Sequence, residues 1–268
     1  MLITERFVMI NFPKTGSSFA REAIRQCHWH TPTLRQRIGW RLGRPQRMLK
    51  DLLMKPYHFN KAFEERARPV AHGGVCQIPA EHRGKPIVTV VREPLARLVS
   101  LYEFRAWAQD PRPSLEEVKA AFPAFPDLSF ADYFRMHLGI GYASAAPPGM
   151  RATVGPLTLH FIRLFAHDPL RTALALEDGM DLRRVYDQHF PRITFLRTER
   201  LNEELYRYLR GMGYPDRAVA FIRRKGKVNA TGRSQERYFT PAMLEEYRWR
   251  ERFFYQLFPD YLKALPAA

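Results

Sequence analysis

The strongest constraint on the fold is an apolar run near the amino terminus that leads through a glycine-containing loop into a helical pattern. Residues 7–12 (Phe-Val-Met-Ile-Asn-Phe) are almost entirely apolar and end at Pro13. Such a run predicts a buried strand of a parallel sheet. Residues 19–26, after the loop, have helical spacing. Strand, loop and helix in this order form the first half of a βαβ unit.

Strands and helices continue to alternate along the chain. Further strands are predicted over residues 69–72, 85–91 and 192–196, and helices over residues 95–107, 157–165, 180–189, 201–210 and 241–258. Thr240 is the expected N-cap of the last helix. The alternation predicts an α/β fold: a single domain over residues 1–268 with a central, mostly parallel sheet flanked by helices.

Charge and cysteine content narrow the possible functions. The 268 residues include 43 Lys and Arg against 27 Asp and Glu, a net charge of +16, which indicates an anionic ligand or partner. The two cysteines, Cys27 and Cys76, exclude a disulfide scaffold and argue against a thiolate zinc site. Early charges at Glu5 and Arg6 argue against a secretory signal, and no apolar run approaches the ~18–20 residues of a membrane span. We therefore expect a cytoplasmic protein.

The loop Lys14-Thr-Gly-Ser-Ser18 is a candidate anion site. Backbone N–H groups converge where a strand passes into a helix, and Gly16 allows a ligand to approach closely. Lys14 adds positive charge, and we expect Thr15, Ser17 and Ser18 to add hydroxyl donors. The spacing is not that of a Walker A loop, which argues against a magnesium-dependent NTPase. The alternative is that the two serines only cap the helix.

A second candidate site follows the clearest strand. Arg92 lies in Val91-Arg-Glu-Pro94, at the expected carboxyl end of a parallel strand, and Ser100 follows in the next helix. A guanidinium with a hydroxyl suits a phosphate. The alternative is that Arg92 ends the strand and Ser100 is a small packing residue.

Together, the two segments resemble the cofactor motifs of sulfotransferases that use 3′-phosphoadenylyl sulfate (PAPS), both cytosolic and carbohydrate-specific. The similar segments are residues 12–19, 91–102 and, more loosely, 223–234. The resemblance implies a P-loop-kinase-like sulfotransferase fold. Because the sequence has no evident signal, anchor or cysteine framework, we expect a bacterial cytoplasmic member of this family. The resemblance also implies that the 5′ end of PAPS binds to one set of residues, namely Lys14, Thr15, Gly16, Ser17, Ser18 and Phe19. The 3′-phosphate would then bind to Arg92, Ser100, Arg224, Lys225 and Gly226, with adenosine 3′,5′-bisphosphate (PAP) as the product.

The same resemblance suggests the catalytic groups. Lys14 is expected to stabilise the leaving oxygen, and His72, in Val70-Ala-His-Gly-Gly74, is expected to be the general base. Lesser candidates for the base are His28, His30, His58 and Glu81, while His160 could line the acceptor side. We expect no metal, since the sulfuryl group carries less charge than a phosphoryl group.

The acceptor is the least constrained element. We expect a hydroxyl of a carbohydrate, glycolipid or polysaccharide, bound by variable segments at about residues 28–68 and 105–165. A basic stretch over residues 35–68 could receive an anionic glycan or contact an anionic membrane. Two other functions remain open: a nucleotide or small-molecule kinase that uses the same loop, and a basic nucleic-acid-binding protein.

Overall fold

The structure is a computed structural model that describes residues 1–28, 49–226 and 237–263. Within these ranges the strands form one sheet in the spatial order β3-β1-β2-β4-β5. Their bounds are Leu2–Thr4 (β1), Val8–Met9 (β2), Leu49–Asp51 (β3), Ile87–Val91 (β4) and Ile193–Arg197 (β5).

All strands except β1 run in the same direction. β2 pairs with β4 and β4 with β5 in parallel, whereas β1 is antiparallel to both β2 and β3. Ile87 is the partner of Val8 on one side and of Ile193 on the other. The predicted α/β fold with a mostly parallel sheet is therefore confirmed.

Helices surround the sheet throughout the described ranges. In chain order they are α1 (Ser17–His28), α2 (Lys61–Arg66), α3 (Pro94–Phe104), α4 (Ala106–Gln109), α5 (Leu115–Ala121), α6 (Phe130–Leu138), α7 (Ile140–Ala145), α8 (Pro156–Phe165), α9 (Pro169–Ala175), α10 (Tyr186–His189), α11 (Leu201–Gly211), α12 (Asp216–Val219), α13 (Phe221–Arg224), α14 (Pro241–Arg250), α15 (Arg252–Leu257) and α16 (Asp260–Lys263). Among the residues described, no helix is both long enough and apolar enough to cross a membrane.

The core lies on both faces of the sheet, because side chains alternate along each strand. On one face Val88 and Val90 of β4 pack with α1 and α11, which contribute Ile24 and Leu205. On the other face Ile87 and Val91 belong to a cluster with Phe161 of α8 and Phe254 of α15. The centre of the sheet is thus covered on both sides, which agrees with the complete burial of β4.

Several predicted elements differ from the observed ones. The strand predicted over residues 69–72 is only an isolated bridge between Val70 and Met54. The helix predicted over residues 95–107 is interrupted at Arg105, whose φ of 55° is left-handed. The helix predicted over residues 180–189 is limited to α10. The one predicted over residues 241–258 is divided at Glu251, while Thr240 caps its first part as expected, accepting from the Met243 N–H.

Two of the observed strands, β1 and β3, were not predicted from the sequence. β1 and β3 have three residues each, too few for a periodic pattern to emerge, and β3 lies inside the basic stretch over residues 35–68. Residues 35–48 of that stretch, which include Arg35, Arg37, Arg41 and Arg44, lie outside the described residues. The same is true of residues 227–234 of the third motif.

Candidate active site

The candidate residues lie at one edge of the sheet, where the carboxyl ends of β2, β3, β4 and β5 meet. We call this the carboxyl edge. After β2 the chain forms the predicted anion site, residues 13–18, here called the anion loop. Arg92 directly follows β4, and Thr198 directly follows β5. This edge is where open α/β sheets bind ligands.

The anion loop has a tight backbone that needs a glycine. Lys14 and Gly16 have φ values of 65° and 84°. A side chain at position 16 would be strained at that φ, and its Cβ would lie 3.2 Å from Leu201 Cδ2 and 3.5 Å from Thr198 Cγ2. The loop therefore packs directly on the start of α11, which places its peptide groups close to the end of β5.

Two side-chain hydroxyl groups of the loop donate hydrogen bonds to the backbone at its start. Thr15 and Ser17 both donate to the carbonyl oxygen of Phe12, at 2.8 and 2.9 Å, and both side chains are buried. In this structure both hydroxyl protons are engaged with the backbone, so that these two residues are expected to contribute to ligand binding through their backbone N–H groups. Ser18 is exposed at the first turn of α1, and its hydroxyl remains a candidate donor.

Side chains from other elements bind the loop carbonyls. Arg97 Nε donates to Pro13 O at 3.1 Å, and Arg92 Nη1 lies 3.4 Å from Lys14 O. The Thr198 hydroxyl is in hydrogen-bonding reach of the carbonyls of Thr15 and Val91, which connects the loop to β4.

With the carbonyls engaged, the N–H groups are left for a ligand. None of the backbone N–H groups of residues 14–18 donates to a described residue. They belong to the loop and to the first two residues of α1, a twelve-residue helix whose first turn contains no acidic side chain. Free N–H groups at the positive end of a helix dipole make the loop suited to an anion.

Three cationic side chains at the anion loop have no carboxylate partner among the described residues. Lys14, Arg92 and Arg97 form no ion pair within 4.0 Å with a described residue. Burial lowers the pKa of Lys14, and the charges of Arg92 and Arg97 lower it further. Burial also lowers the pKa of Arg92, although Glu199 and Glu93 counteract it. Positive charge is therefore concentrated at the anion loop.

Helix α3 presents one face to the loop. Its Arg97 contacts Pro13, and the ring of its Phe104 lies 3.7 Å beneath Lys14 Nζ. Ser100 lies between them at helical spacing, so it belongs to the same face. Its partly exposed hydroxyl donates to no described residue. Arg92 and the face of α3 that carries Ser100 therefore both lie beside the anion loop, and their role in binding a phosphate stays a prediction.

The third basic segment is anchored beside α1. Asn202 Nδ2 donates to the carbonyls of Ile222 and Lys225, and Lys225 Nζ lies 5.7 Å from the centre of the Phe19 ring. Phe19 itself is buried, so its ring packs in the core. Arg224 and Gly226 are exposed next to Lys225. The structure thus brings this segment to the helix that follows the anion loop.

His72 lies at the carboxyl edge beside β2. Its Nδ1 is 3.0 Å from the carbonyl oxygen of Asn11. Since a carbonyl can only accept, Nδ1 carries the proton, and the neutral ring has its lone pair on Nε2. Burial lowers the pKa of His72 below its ordinary value, and the charges of Arg21 and Arg163 act in the same direction. The ring is therefore neutral at pH 7 and able to take up a proton on Nε2.

Two neighbouring histidines have the opposite tautomer. Arg163 Nη1 lies 3.0 Å from His58 Nδ1, and Arg97 Nη2 lies 3.2 Å from His160 Nδ1. Because a guanidinium only donates, both Nδ1 atoms accept and the protons lie on Nε2. Burial lowers the pKa of His58 to about 3. These rings are hydrogen-bond donors toward a ligand, unlike His72.

The other candidates for the base lie away from this edge or outside the structure's description. His28 ends α1, about 16 Å along the helix from its start, and contacts Tyr214. Glu81 is exposed in a short turn before β4, toward the opposite edge of the sheet. His30 lies outside the described residues. His72 is the candidate that both its tautomer and its location favour.

Sequence reasoning missed three residues that shape the site. Arg97 is almost completely buried, at 3% exposure, and Thr198 and Asn202 join the anion loop and the third segment to the β5 edge. Arg97 stands one helical turn before Ser100, and Thr198 directly follows a parallel strand. Both positions were signals that could have been used. In the described ranges, no group of three or more His, Cys, Asp or Glu is arranged to hold a metal ion.

Comparisons with known proteins do not identify a family for this chain. No protein-family model matches the sequence, and no curated protein matches it. Among solved structures, the mouse sulfotransferase SULT7A1 complexed with PAP is similar over 96% of this chain and 84% of that chain, with 13% sequence identity and a TM-score of 0.40. A similarity of this strength carries no argument about the function of this chain.

Proposed function

We propose that the protein is a sulfotransferase that moves the sulfuryl group of PAPS to an acceptor hydroxyl. One observation supports this above all: the free N–H groups of residues 14–18 face the same edge as Lys14 and Arg92, which have no carboxylate partner among the described residues. A site of this kind favours a multiply anionic ligand. The motif resemblance selects PAPS from among such ligands.

The residues fit the two ends of this nucleotide. The N–H groups of the anion loop and the Ser18 hydroxyl would bind the 5′-phosphosulfate. Arg92, Ser100 and the segment Arg224-Lys-Gly226 would bind the 3′-phosphate. Thr15, Ser17 and Phe19 would act through backbone and packing, since their side chains are buried.

Two side chains would do the chemistry. PAPS supplies an activated sulfuryl group, which passes to the acceptor oxygen as the bond to the leaving phosphate oxygen breaks. His72 Nε2 takes the proton of the acceptor hydroxyl, and the Asn11 carbonyl stabilises the resulting imidazolium through Nδ1–H. Lys14 Nζ, which lies over the exposed ring of Phe104, stabilises the negative charge on the leaving oxygen.

The acceptor and setting are also part of the proposal. We expect a carbohydrate, glycolipid or polysaccharide hydroxyl, no metal requirement, no nucleic-acid partner and a cytoplasmic enzyme. His58, Phe63 and Arg112 come from the two segments expected to bind the acceptor, and they lie together near His160. The basic stretch could contact an anionic membrane where a lipid-linked acceptor is made.

PAP binding tests the proposed cofactor site. We expect PAP to bind with micromolar affinity in the presence of EDTA, and Lys14→Ala to weaken binding at least tenfold, because it removes a cation from the loop. Isothermal titration calorimetry measures both affinities. The exposed Lys119→Ala is a matched control that should leave binding unchanged. Magnesium-dependent ATP turnover without PAP binding would favour a kinase instead, and salt-sensitive oligonucleotide binding would favour a nucleic-acid-binding protein.

A further inference from the structure

Helix α8 carries two polar side chains, His160 and Arg163, that are close enough to His72 for electrostatic interaction. His160 and Arg163 are three residues apart, so they share one face of the helix. Arg163 also donates through Nη1 to His58, as described above. The remaining nitrogens of Arg163 therefore decide what this face can bind.

The other two nitrogens of Arg163 have no protein partner among the described residues. Nε is buried without a hydrogen bond, and Nη2 makes no hydrogen bond to a described residue. No carboxylate of a described residue pairs with Arg163, in contrast to Arg112, which pairs with Asp110 at 2.9 Å. The Nε–Nη2 edge is the one that binds two oxygens of an anion in parallel.

The surroundings of Arg163 raise the free-energy cost of its unpaired charge. Burial and the nearby charges of Arg112 and Arg97 lower the pKa of Arg163 to about 10. His160 Nε2, a second N–H donor on the same face, is also buried without a partner among the described residues. Unsatisfied donors and unpaired charges in a protein interior are destabilising, and an anionic ligand would satisfy both.

This group of donors lies close to the proposed base. The charge of Arg163 contributes to the lowered pKa of His72, and His72 and His58 both influence His160. The Phe63 ring, which Arg112 contacts at 5.3 Å, packs edge-on against His58. His72, His58, His160 and Arg163 are therefore close enough for their charges to affect one another, and the Phe63 and Arg112 side chains adjoin His58.

We propose that Arg163, assisted by His160 Nε2–H, binds an anionic substituent of a sugar acceptor next to the hydroxyl that His72 deprotonates. The substituent is a carboxylate, a sulfate ester or a phosphate ester, all of which present two oxygens to the guanidinium. The acceptor is then an acidic sugar, which deepens the proposed function and rests on it. A neutral sugar leaves the Arg163 charge unpaired.

The test compares hexoses that differ only at C6. Glucuronate, glucose 6-sulfate, glucose 6-phosphate and glucose are titrated into the PAP-saturated protein by calorimetry. We expect at least one anionic sugar to bind tenfold or more tightly than glucose, and the preferred one identifies the substituent. Arg163→Gln should abolish this preference and leave the PAP affinity unchanged. The exposed Arg184→Gln should keep both.

Equal binding of all four sugars, or a preference that survives in Arg163→Gln, overturns the proposal. Should Arg163→Gln also lose PAP binding through misfolding, Arg163→Lys decides, because it keeps the charge and loses the two-nitrogen edge. A threefold or greater loss for the preferred anion is expected there, and no loss overturns the proposal. If wild-type protein fails to bind PAP, the proposed function fails, and titration of the sugars without PAP still judges the Arg163 site.

Discussion

At the scale of single residues, the hydrogen bond from His72 to a backbone carbonyl distinguishes this histidine from its neighbours. The Asn11 carbonyl assigns the proton to Nδ1, whereas Arg163 and Arg97 assign the protons of His58 and His160 to Nε2. The sequence singled out His72 by its position between two motifs, but no sequence pattern reports a tautomer. The tautomer depends on which backbone or guanidinium group the fold brings within 3.2 Å.

Replacing His72 tests its role as the base. We expect His72→Ala to lower kcat about 100-fold or more, since general-base catalysis contributes about 10²–10⁴. The dissociation constant of PAP should be unchanged, because the ring does not belong to the anion loop. The exposed His167→Ala serves as the control. Near-normal turnover in His72→Ala would remove the residue from the base role.

The lowered pKa of His72 also gives a pH dependence. A histidine whose folded-state pKa is depressed stays neutral at lower pH, so the base remains active there. We expect kcat/KM to hold its value below pH 6.5 before it declines. A decline of kcat/KM centred above pH 6.5 would show that a group other than His72 controls the loss of activity at acid pH.

At the scale of elements, the turn between β2 and α1 determines whether the anion loop can form. Gly16 has a φ of 84°, and the loop carbonyls are bound by residues that follow β4 and β5. The conformation of the loop therefore depends on three segments that are distant in sequence: the loop itself, the residues after β4 and the residues after β5.

Gly16→Ala tests this dependence. A non-glycine residue at such a φ is destabilised by about 1–3 kcal/mol, and the new methyl would press on Leu201 and Thr198. We expect a lower free energy of unfolding in urea and at least tenfold weaker PAP binding. Gly179→Ala, where no atom lies within 4 Å of the added carbon, should change neither quantity appreciably. Equal effects of the two substitutions would contradict the strained-loop account.

The long elements could be predicted from the sequence, and the short ones could not. β4, α8 and α11 carry five to eleven residues of strong pattern and appear where expected. β1 and β3 are specified by pairing with strands elsewhere in the chain, which no local pattern records. Likewise, the two loops carrying Lys14 and Arg92 were visible as motifs, whereas Arg97 acquires its role only because α3 packs against Pro13.

At the scale of the whole molecule, desolvation favours the neutral form of several histidines. His137 stacks on Tyr133 with ring centres 5.4 Å apart, and burial lowers its pKa to about 3, with a smaller contribution from Arg97. The unfolded chain binds this proton near pH 6.5, so it binds more protons than the native state between pH 3 and 6.5. The contribution to stability is therefore complete above pH 6.5 and is lost as the pH falls through that range.

His137→Phe should reduce this loss while keeping the stack on Tyr133. Between pH 7 and pH 5 we expect the free energy of unfolding to fall by about 1–2 kcal/mol less in the variant than in the wild type. Urea denaturation at the two pH values measures both changes. Identical pH dependence would mean that His137 has the same pKa in the native and the unfolded protein.

Sulfuryl transfer is tested most directly by following the label of ³⁵S-labelled PAPS. Wild-type protein, the PAPS and a panel of glycan, phenol and peptide acceptors are incubated with EDTA, and labelled products are separated from the nucleotide. We expect the label to appear in a hydroxyl-bearing acceptor, with equimolar release of PAP, and Lys14→Ala to abolish the transfer. Transfer of the γ-phosphate of ATP in the presence of magnesium, with no consumption of PAPS, would contradict it.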